Sequence, residues 1–253
     1  MFSFRDCNSK RRFAKLKHYK FNLPPQVVKI KNKNGNFKLP FFFFHVYLKP
    51  TQIKRIVMLE EFWFNVQYGM NHVLDINAYD HVLFLIVLTV PYMFKDWKRV
   101  FMLVTIFTVG HTLSIILATY GAVKASVPVV EFLIPLSILV VAVFNVFTAG
   151  KGAQKEKVGI LFFSTLFFGL VHGLGFAREL QMLVGPNDNK FLVMLEFALG
   201  IELAQIIIVF LVLFIGYLIQ TIFRFSKRDW IMVLSAIVIG LVIPMIIESE
   251  LLA

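Results

Sequence analysis

From about residue 71 onward, long runs of apolar residues are separated by short segments that contain most of the charged residues. Within each run, apolar and polar positions do not alternate as they would in a barrel strand. About 20 apolar helical residues cross a bilayer, and a chain in hydrocarbon has to satisfy its own backbone hydrogen bonds. The pattern therefore predicts an all-α, polytopic transmembrane helix bundle of about six spans, at residues 71–94, 100–120, 127–149, 158–184, 191–222 and 230–247.

The composition agrees with a membrane protein. Hydrophobic residues make up 58% of the 253 residues and charged residues 16%, with a mean hydropathy of +0.75. Soluble domains carry about 25% charged residues, so the surplus apolar surface is expected to face lipid. The single cysteine, Cys7, excludes an internal disulfide and any site made of several thiolates. Imidazole, carboxylate and thioether groups remain as potential metal ligands.

The first 57 residues differ from the rest of the chain. They hold fourteen of the 26 Lys and Arg residues and one acid, Asp6, and their longest apolar run is too short to span a bilayer. We expect residues 1–57 to be a basic extension that is disordered or not native, and residues 58–253 to be the transmembrane domain. The alternative is a basic arm that binds anionic lipid or RNA, but we expect no nucleic-acid partner.

The distribution of Lys and Arg predicts the orientation of the bundle. Basic residues are concentrated in the first, third and fifth connections and are sparse in the second and fourth. By the positive-inside rule, the basic connections are cytoplasmic and both termini lie outside. We expect a bacterial inner (cytoplasmic) membrane. The basic residues of the three connections are Lys95, Lys98 and Arg99, then Lys151, Lys155 and Lys157, then Arg224, Lys227 and Arg228.

Ionisable side chains recur inside the predicted spans, where an acid or base at a helix centre costs about 2.5–3.5 kcal/mol. The orientation places them at similar depths, from the outer half of the membrane to its midplane. Imidazole and carboxylate ligands together suit Ni²⁺, Co²⁺ or Zn²⁺. We expect four of these side chains to converge in one pocket, namely Asp80, His81, His111 and His172, with Glu179 or Glu202 at its edge and His72 as a further candidate ligand.

Three segments around these residues resemble motifs of the HupE/UreJ family of hydrogenase- and urease-associated nickel permeases. The resemblance covers about residues 62–220. The matching segments are Gly69-Met-Asn-His72 with Tyr79-Asp80-His81-Val-Leu-Phe-Leu, then Phe107-Thr-Val-Gly-His111-Thr-Leu-Ser, then Phe168-Gly-Leu-Val-His172-Gly-Leu-Gly-Phe-Ala-Arg-Glu179.

The resemblance implies that the chain moves Ni²⁺ or a similar cation inward. It also implies that the histidine and aspartate of the first motif and the histidine and glutamate of the last are essential. Seven residues separate His72 from Asp80, whereas the family motif usually has five, so Asp80 and His81 are the closer match. By resemblance these roles fall on His72, Asp80, His81, His172 and Glu179.

The sequence therefore predicts a permease for a divalent transition metal, Ni²⁺ or Co²⁺ before Zn²⁺, and not an enzyme. The alternatives are a membrane-embedded hydrolase that uses the same residues around Zn²⁺, and an assembly or scaffold subunit. The sequence has no phosphate-binding loop of the Gly-x4-Gly-Lys-Ser/Thr type, so the energy is expected from an ion gradient or a partner. The expected partners are the lipid bilayer and the transported ion, and a homo-oligomer is left open.

Overall fold

The computed structural model describes residues 50–75, 78–150, 158–184 and 189–251. All of these lie in one compact unit, residues 48–253. Within the described ranges the regular secondary structure is helical, and a short 3₁₀ helix, Phe94–Asp96, leads into the third α-helix. The α-helices are α1 (Pro50–Leu74), α2 (Asp80–Thr89), α3 (Trp97–Thr119), α4 (Val127–Thr148), α5 (Val158–Leu183), α6 (Lys190–Ile222) and α7 (Lys227–Ile247).

Four of these helices are long and apolar enough to cross a membrane by length and composition. They are α3 with its 3₁₀ turn, α4, α6 and α7, and they correspond to four of the six predicted spans. Large apolar side chains such as Phe144, Phe147 and Phe214 are exposed on their outer faces, as expected for contact with lipid. The chain is therefore an all-α integral membrane protein.

The prediction of one continuous first span over residues 71–94 is wrong. α1 ends at Leu74, and α2 begins at Asp80 and has only 10 residues. At 1.5 Å per residue, α2 is about 15 Å long, roughly half of the hydrocarbon core. Seven of its side chains are buried, because α2 lies inside the bundle. Its apolar character therefore reflects contact with other helices as well as the membrane environment.

Helix α1 begins before the predicted transmembrane domain does. The prediction for residues 1–57 mostly concerns residues 1–49, which lie outside the described residues. Residues 50–57 form the first turns of α1, with Pro50 at the first helical position, where a missing N–H group costs nothing.

Helices α3 and α5 pack closely and run parallel. A Cβ atom at Gly169 of α5 would meet the carbonyl oxygen of Phe107 on α3, so the two backbones touch there. Further along, the Gln181 side chain donates a hydrogen bond to the carbonyl oxygen of Ala118 at 3.0 Å. Because the contacts advance in the same direction on both helices, α3 and α5 are parallel. Small residues allow this close approach, as in many membrane bundles.

Helix α1 runs antiparallel to α5 and packs closely on α6. On α5, the ring of His72 lies 3.9 Å from that of Phe176, and the hydroxyl of Tyr68 lies 3.0 Å from Glu179. Along these contacts, the residue numbers on α1 decrease as those on α5 increase. On α6, a Cβ at Gly200 would meet the backbone of α1, so little space separates these helices.

Helix α2 has the same direction as α1. Its His81 ring lies 5.2 Å from that of His172, and its Phe84 ring lies 5.8 Å from that of Phe168. Along these contacts, the residue numbers on α2 increase as those on α5 decrease, so α2 is also antiparallel to α5. α1 and α2 are two helical segments of one direction, separated by residues 75–79.

Candidate metal site

The site is organised around the first turn of α2. The backbone N–H of His81 donates to Asp80 Oδ1 at 2.8 Å, and His81 Nδ1 lies 3.1 Å from the same oxygen. A carboxylate in this position favours the tautomer with its proton on Nδ1, which leaves the lone pair on Nε2. The Asp80–His81 pair therefore presents one imidazole nitrogen and one carboxylate to the interior of the bundle.

Three further imidazole rings surround His81, each from a different helix. The ring centroid of His72 on α1 lies 4.8 Å away, that of His172 on α5 lies 5.2 Å away, and that of His111 on α3 lies 5.7 Å away. The side chains of His111 and His172 are 0% and 1% exposed. Four helices thus bring four imidazoles and one carboxylate to the same place.

These side chains form two overlapping triads. One consists of His72, His81 and His111, and the other of Asp80, His81 and His172, with the ligand atoms of each triad within 4.8 Å of one another. Nitrogen and oxygen ligands lie about 2.0–2.2 Å from a bound Zn²⁺ ion, so two ligands of one ion are at most about 4.4 Å apart. Small side-chain rotations would bring either triad within this range.

Most of the imidazole nitrogens lack a hydrogen-bond partner within the described part of the chain. The unpartnered atoms are His72 Nε2, His81 Nε2, His172 Nδ1 and both ring nitrogens of His111. Buried polar atoms are usually satisfied, and each unsatisfied one is costly. A cation shared by these nitrogens would satisfy several of them at once.

Aromatic side chains and one hydroxyl complete the walls of the cluster. The Phe107 ring lies 5.2 Å from that of His172, and Phe176 lies against His72. Ser137 Oγ is 3.4 Å from His172 Nε2. The sequence does not predict these three residues as neighbours of the cluster. Ser137 was detectable only as a polar residue within the apolar run of α4.

The two glutamates that were predicted at the edge of the pocket belong to neither triad. Glu179 accepts a hydrogen bond at 3.0 Å from Tyr68, which the sequence also does not predict as part of the site. Tyr68 precedes His72 by one helical turn, a relation that becomes visible only when α1 is recognised as a helix. Glu202 accepts hydrogen bonds from Thr105 at 2.6 Å and from Thr108.

The fold and the cluster define a class: a helical integral membrane protein with buried or partly buried imidazole groups and a partly buried carboxylate that could hold a transition-metal ion. The family model described as "HupE / UreJ protein" matches residues 49–248, and the chain belongs to this family. Its members are permease-like accessory membrane proteins of the nickel or cobalt transporter type and are not known enzymes. Comparisons with curated proteins and with solved structures found no match.

Proposed function

We propose that this protein is a permease for a divalent transition metal, Ni²⁺ or Co²⁺, and that the cation passes through the cluster formed by His72, Asp80, His81, His111 and His172. The observation that carries this proposal is the convergence of unpartnered, buried imidazole nitrogens from four helices. Family membership supports transport over hydrolysis.

The donor set favours this class of cation over the abundant hard cations. Imidazole is a ligand for Ni²⁺, Cu²⁺ and Zn²⁺, whereas Mg²⁺ and Ca²⁺ prefer sites made of oxygen. Asp80 is the one carboxylate in the two triads. It supplies a negative charge that offsets part of the cost of placing a divalent cation inside the bundle.

We propose further that α1 and α2 form one interrupted crossing and that α3, α4, α5, α6 and α7 supply the other five. The common direction of α1 and α2 supports this count, since both are antiparallel to α5. The end of α1 at Leu74 and the start of α2 at Asp80 then lie beside the cluster, as in transporters whose discontinuous helices line the ion site. All five proposed ligands lie within residues 58–253, which we propose as the transport domain in a bacterial inner membrane, with both termini outside.

The dipoles of the interrupted helix suit a cation site with a carboxylate. α1 ends at Leu74, so its partially negative end is directed toward the region of His72. α2 begins at Asp80, and its partially positive end would repel a cation if it were not compensated. The Asp80 carboxylate in the first turn provides that compensation.

Metal binding and uptake by the purified protein test the proposal. His172→Ala is expected to weaken Ni²⁺ binding by at least about tenfold, since even outer-shell partners of metal ligands contribute 10–100-fold. Calorimetry in detergent measures the Kd, and proteoliposomes that contain a metal-sensitive dye measure uptake.

Glu131→Gln, which changes an exposed carboxylate on α4, is the control and is expected to behave like the wild type. Ni²⁺ binding by the wild type without any uptake would favour a metal-dependent enzyme. No Ni²⁺ or Co²⁺ binding at all would contradict a permease for these ions.

A further inference from the structure

A second polar cluster lies between α3 and α6 and consists of oxygen-bearing side chains. Thr105 Oγ donates a hydrogen bond to Glu202 Oε1 at 2.6 Å, and the hydroxyl of Thr108 contacts Glu202 Oε2. The hydroxyl of Thr108 also lies 3.0 Å from Gln205 Oε1, and Gln205 is 0% exposed. We call these four residues the oxygen cluster.

The hydrogen bonds of the oxygen cluster converge on the Glu202 carboxylate. Within hydrogen-bonding distance of the Thr108 hydroxyl are the Glu202 carboxylate, Gln205 Oε1 at 3.0 Å and the Val104 carbonyl oxygen at 3.2 Å. A hydroxyl has one hydrogen and serves one acceptor at a time. Gln205 Nε2 has no hydrogen-bond partner among the described residues, and a flip of the amide group places it toward the Thr108 oxygen. Thr108 then accepts from Gln205 and donates to Glu202, and Thr105 donates to the same carboxylate. The hydrogen bonds therefore end at the negative charge of Glu202, which a bound cation would neutralise.

The chemistry of the oxygen cluster differs from that of the histidine site. Hydroxyl, amide and carboxylate oxygens suit hard cations, whereas the imidazoles nearby are better ligands for a transition metal. Glu202 is the one acid in this cluster, so its charge matches a monovalent cation. A carboxylate in the interior of a membrane protein is by default a candidate for ion or proton binding.

Helix α3 connects the two sites. Thr108 lies three residues before His111, so the two side chains are about one helical turn apart. In the proposed orientation α3 runs outward, and the oxygen cluster therefore lies on the cytoplasmic side of the histidines. A cation bound there would change the contact between α3 and α6, and α3 also carries a proposed metal ligand.

We propose that Glu202, Thr105, Thr108 and Gln205 form a second binding site for a monovalent hard cation, Na⁺ or a proton, whose movement is coupled to that of the metal. The coupling role rests on the proposed function. The binding role stands on the geometry of the oxygen cluster and can be tested separately.

Direct binding measurements on the purified full-length protein test the site. A scintillation proximity assay with radioactive sodium detects Na⁺ binding. The carboxyl band in infrared difference spectra, recorded on a change of pH in the absence of Na⁺, detects a protonated carboxyl group. The other carboxyl groups titrate in all variants, so the infrared signal of the site is a component that differs between the wild type and Glu202→Gln. The wild type and Glu131→Gln are expected to bind Na⁺ or to show this component, and Glu202→Gln is expected to do neither. No Na⁺ binding that depends on Glu202, together with identical carboxyl spectra for the wild type and Glu202→Gln, would overturn the proposal.

A second pair of variants tests the site independently, in case Glu202→Gln does not fold. Thr108→Ser keeps the hydroxyl and is expected to bind the cation as the wild type does. Thr108→Val removes the hydroxyl but keeps the shape, and is expected to weaken binding by about tenfold. Equal binding by the two Thr108 variants would show that the hydroxyl is not a ligand and would overturn the site.

Transport measurements distinguish the absence of coupling between the cation and the metal from failure of the proposed function. In proteoliposomes, a gradient of the ion that binds is expected to accelerate Ni²⁺ uptake by the wild type but not by Glu202→Gln, while both proteins bind Ni²⁺ with similar Kd. Loss of Ni²⁺ binding in Glu202→Gln would assign Glu202 to the metal site and overturn a separate cation site. If the wild type binds Na⁺ or protons but no Ni²⁺, the proposed function fails and the oxygen cluster remains a cation site.

Discussion

Gly173 of α5 lies where any side chain would disturb the proposed metal site. A Cβ atom there would overlap the carbonyl oxygen of His111 and the hydroxyl of Ser114 on α3. The backbone of α3 at His111 is therefore held directly against α5, one residue from His172. Because two proposed ligands are held at this contact, the distance between α3 and α5 sets the distance between those ligands.

Gly173→Ala is expected to destabilise the protein by about 1–3 kcal/mol, the usual cost of overpacking, and to weaken Ni²⁺ binding. Gly240 on α7 is the matched control, because a Cβ there meets nothing within 4 Å. Gly240→Ala is expected to be neutral or stabilising by up to about 1 kcal/mol. Thermal unfolding and calorimetry in the same detergent measure both effects. Equal behaviour of the two variants would mean that α3 and α5 do not touch at Gly173.

Asp80 and Glu179 both occur in the family-like motifs, but the structure gives them different surroundings. Asp80 belongs to a triad with His81 and His172, whereas Glu179 is exposed and bonded to Tyr68. Asp80→Asn is therefore expected to raise the Kd for Ni²⁺ by about 10–100-fold. Glu179→Gln is expected to leave the Kd unchanged and to reduce only the rate of uptake. A titration of both variants with Ni²⁺ distinguishes the residues, and equal losses of affinity would place Glu179 among the ligands.

The seven candidate ligands could be chosen from sequence because ionisable groups are rare within apolar spans. The structure brings five of them together, His72 included, although the spacing of its motif departs from that of the family. Sequence could not separate Glu179 and Glu202 from this group, because depth along a helix does not fix the neighbour that a side chain meets. Glu179 shares a helix face with His172, yet Tyr68 of α1 is its hydrogen-bond partner.

The C-terminal end of α2 depends on a side chain from another helix. The carbonyl oxygen of Val87 would bond to the N–H of residue 91 in a longer helix, but residue 91 is proline and has no N–H. Asn145 Nδ2 of α4 donates to this oxygen instead, at 2.7 Å, and Asn145 is buried. This bond compensates for the early end of the helix that carries Asp80 and His81.

Asn145→Leu is expected to destabilise the protein by about 1–3 kcal/mol, because it leaves a buried carbonyl oxygen without a donor. Thr148→Val, one turn further along α4, is the control. The Thr148 hydroxyl donates to the carbonyl oxygen of Phe144 in its own helix, so removal of this hydroxyl leaves no polar group of another helix without a hydrogen-bond partner. Thermal unfolding compares the two variants, and a Tm of Asn145→Leu no lower than that of Thr148→Val would refute the importance of this bond.

Hydropathy located the long helices because their apolar runs are bounded by charged connections. Hydropathy did not predict the bounds of α1 and α2. Residues 51–68 contain no proline or glycine and can form a helix, but Glu60, Glu61 and other charged residues lower the mean hydropathy of α1. The apolar run after His81 was joined to the end of α1 because hydropathy does not register an interruption between two helices of the same direction. Helix α2 contacts α3, α4 and α5, and no single segment of sequence contains these contacts.

For the whole molecule, the distribution of charge predicts which connections face each side of the membrane. Lys124 lies between α3 and α4, and Lys227 is the first residue of α7; both side chains are exposed. In a Cys7→Ser background, Lys124→Cys is expected to react with an impermeant thiol reagent applied from outside. Lys227→Cys is expected to react only after permeabilisation, because its connection is predicted to be cytoplasmic. The reverse pattern would invert the orientation and with it the proposed direction of metal movement.

The sharing of His81 by both triads limits how many ions one molecule can hold. Two divalent cations about 5 Å apart would repel each other by on the order of 10 kcal/mol at an effective dielectric constant of about 20. A single imidazole nitrogen also cannot coordinate both ions. Under the proposed function, an ion would move from the triad with His72 and His111 to the triad with Asp80 and His172 while it remained bound to His81. The binding stoichiometry should therefore be one metal per chain, different metals should compete in a strictly exclusive manner, and uptake should saturate as a single-site process.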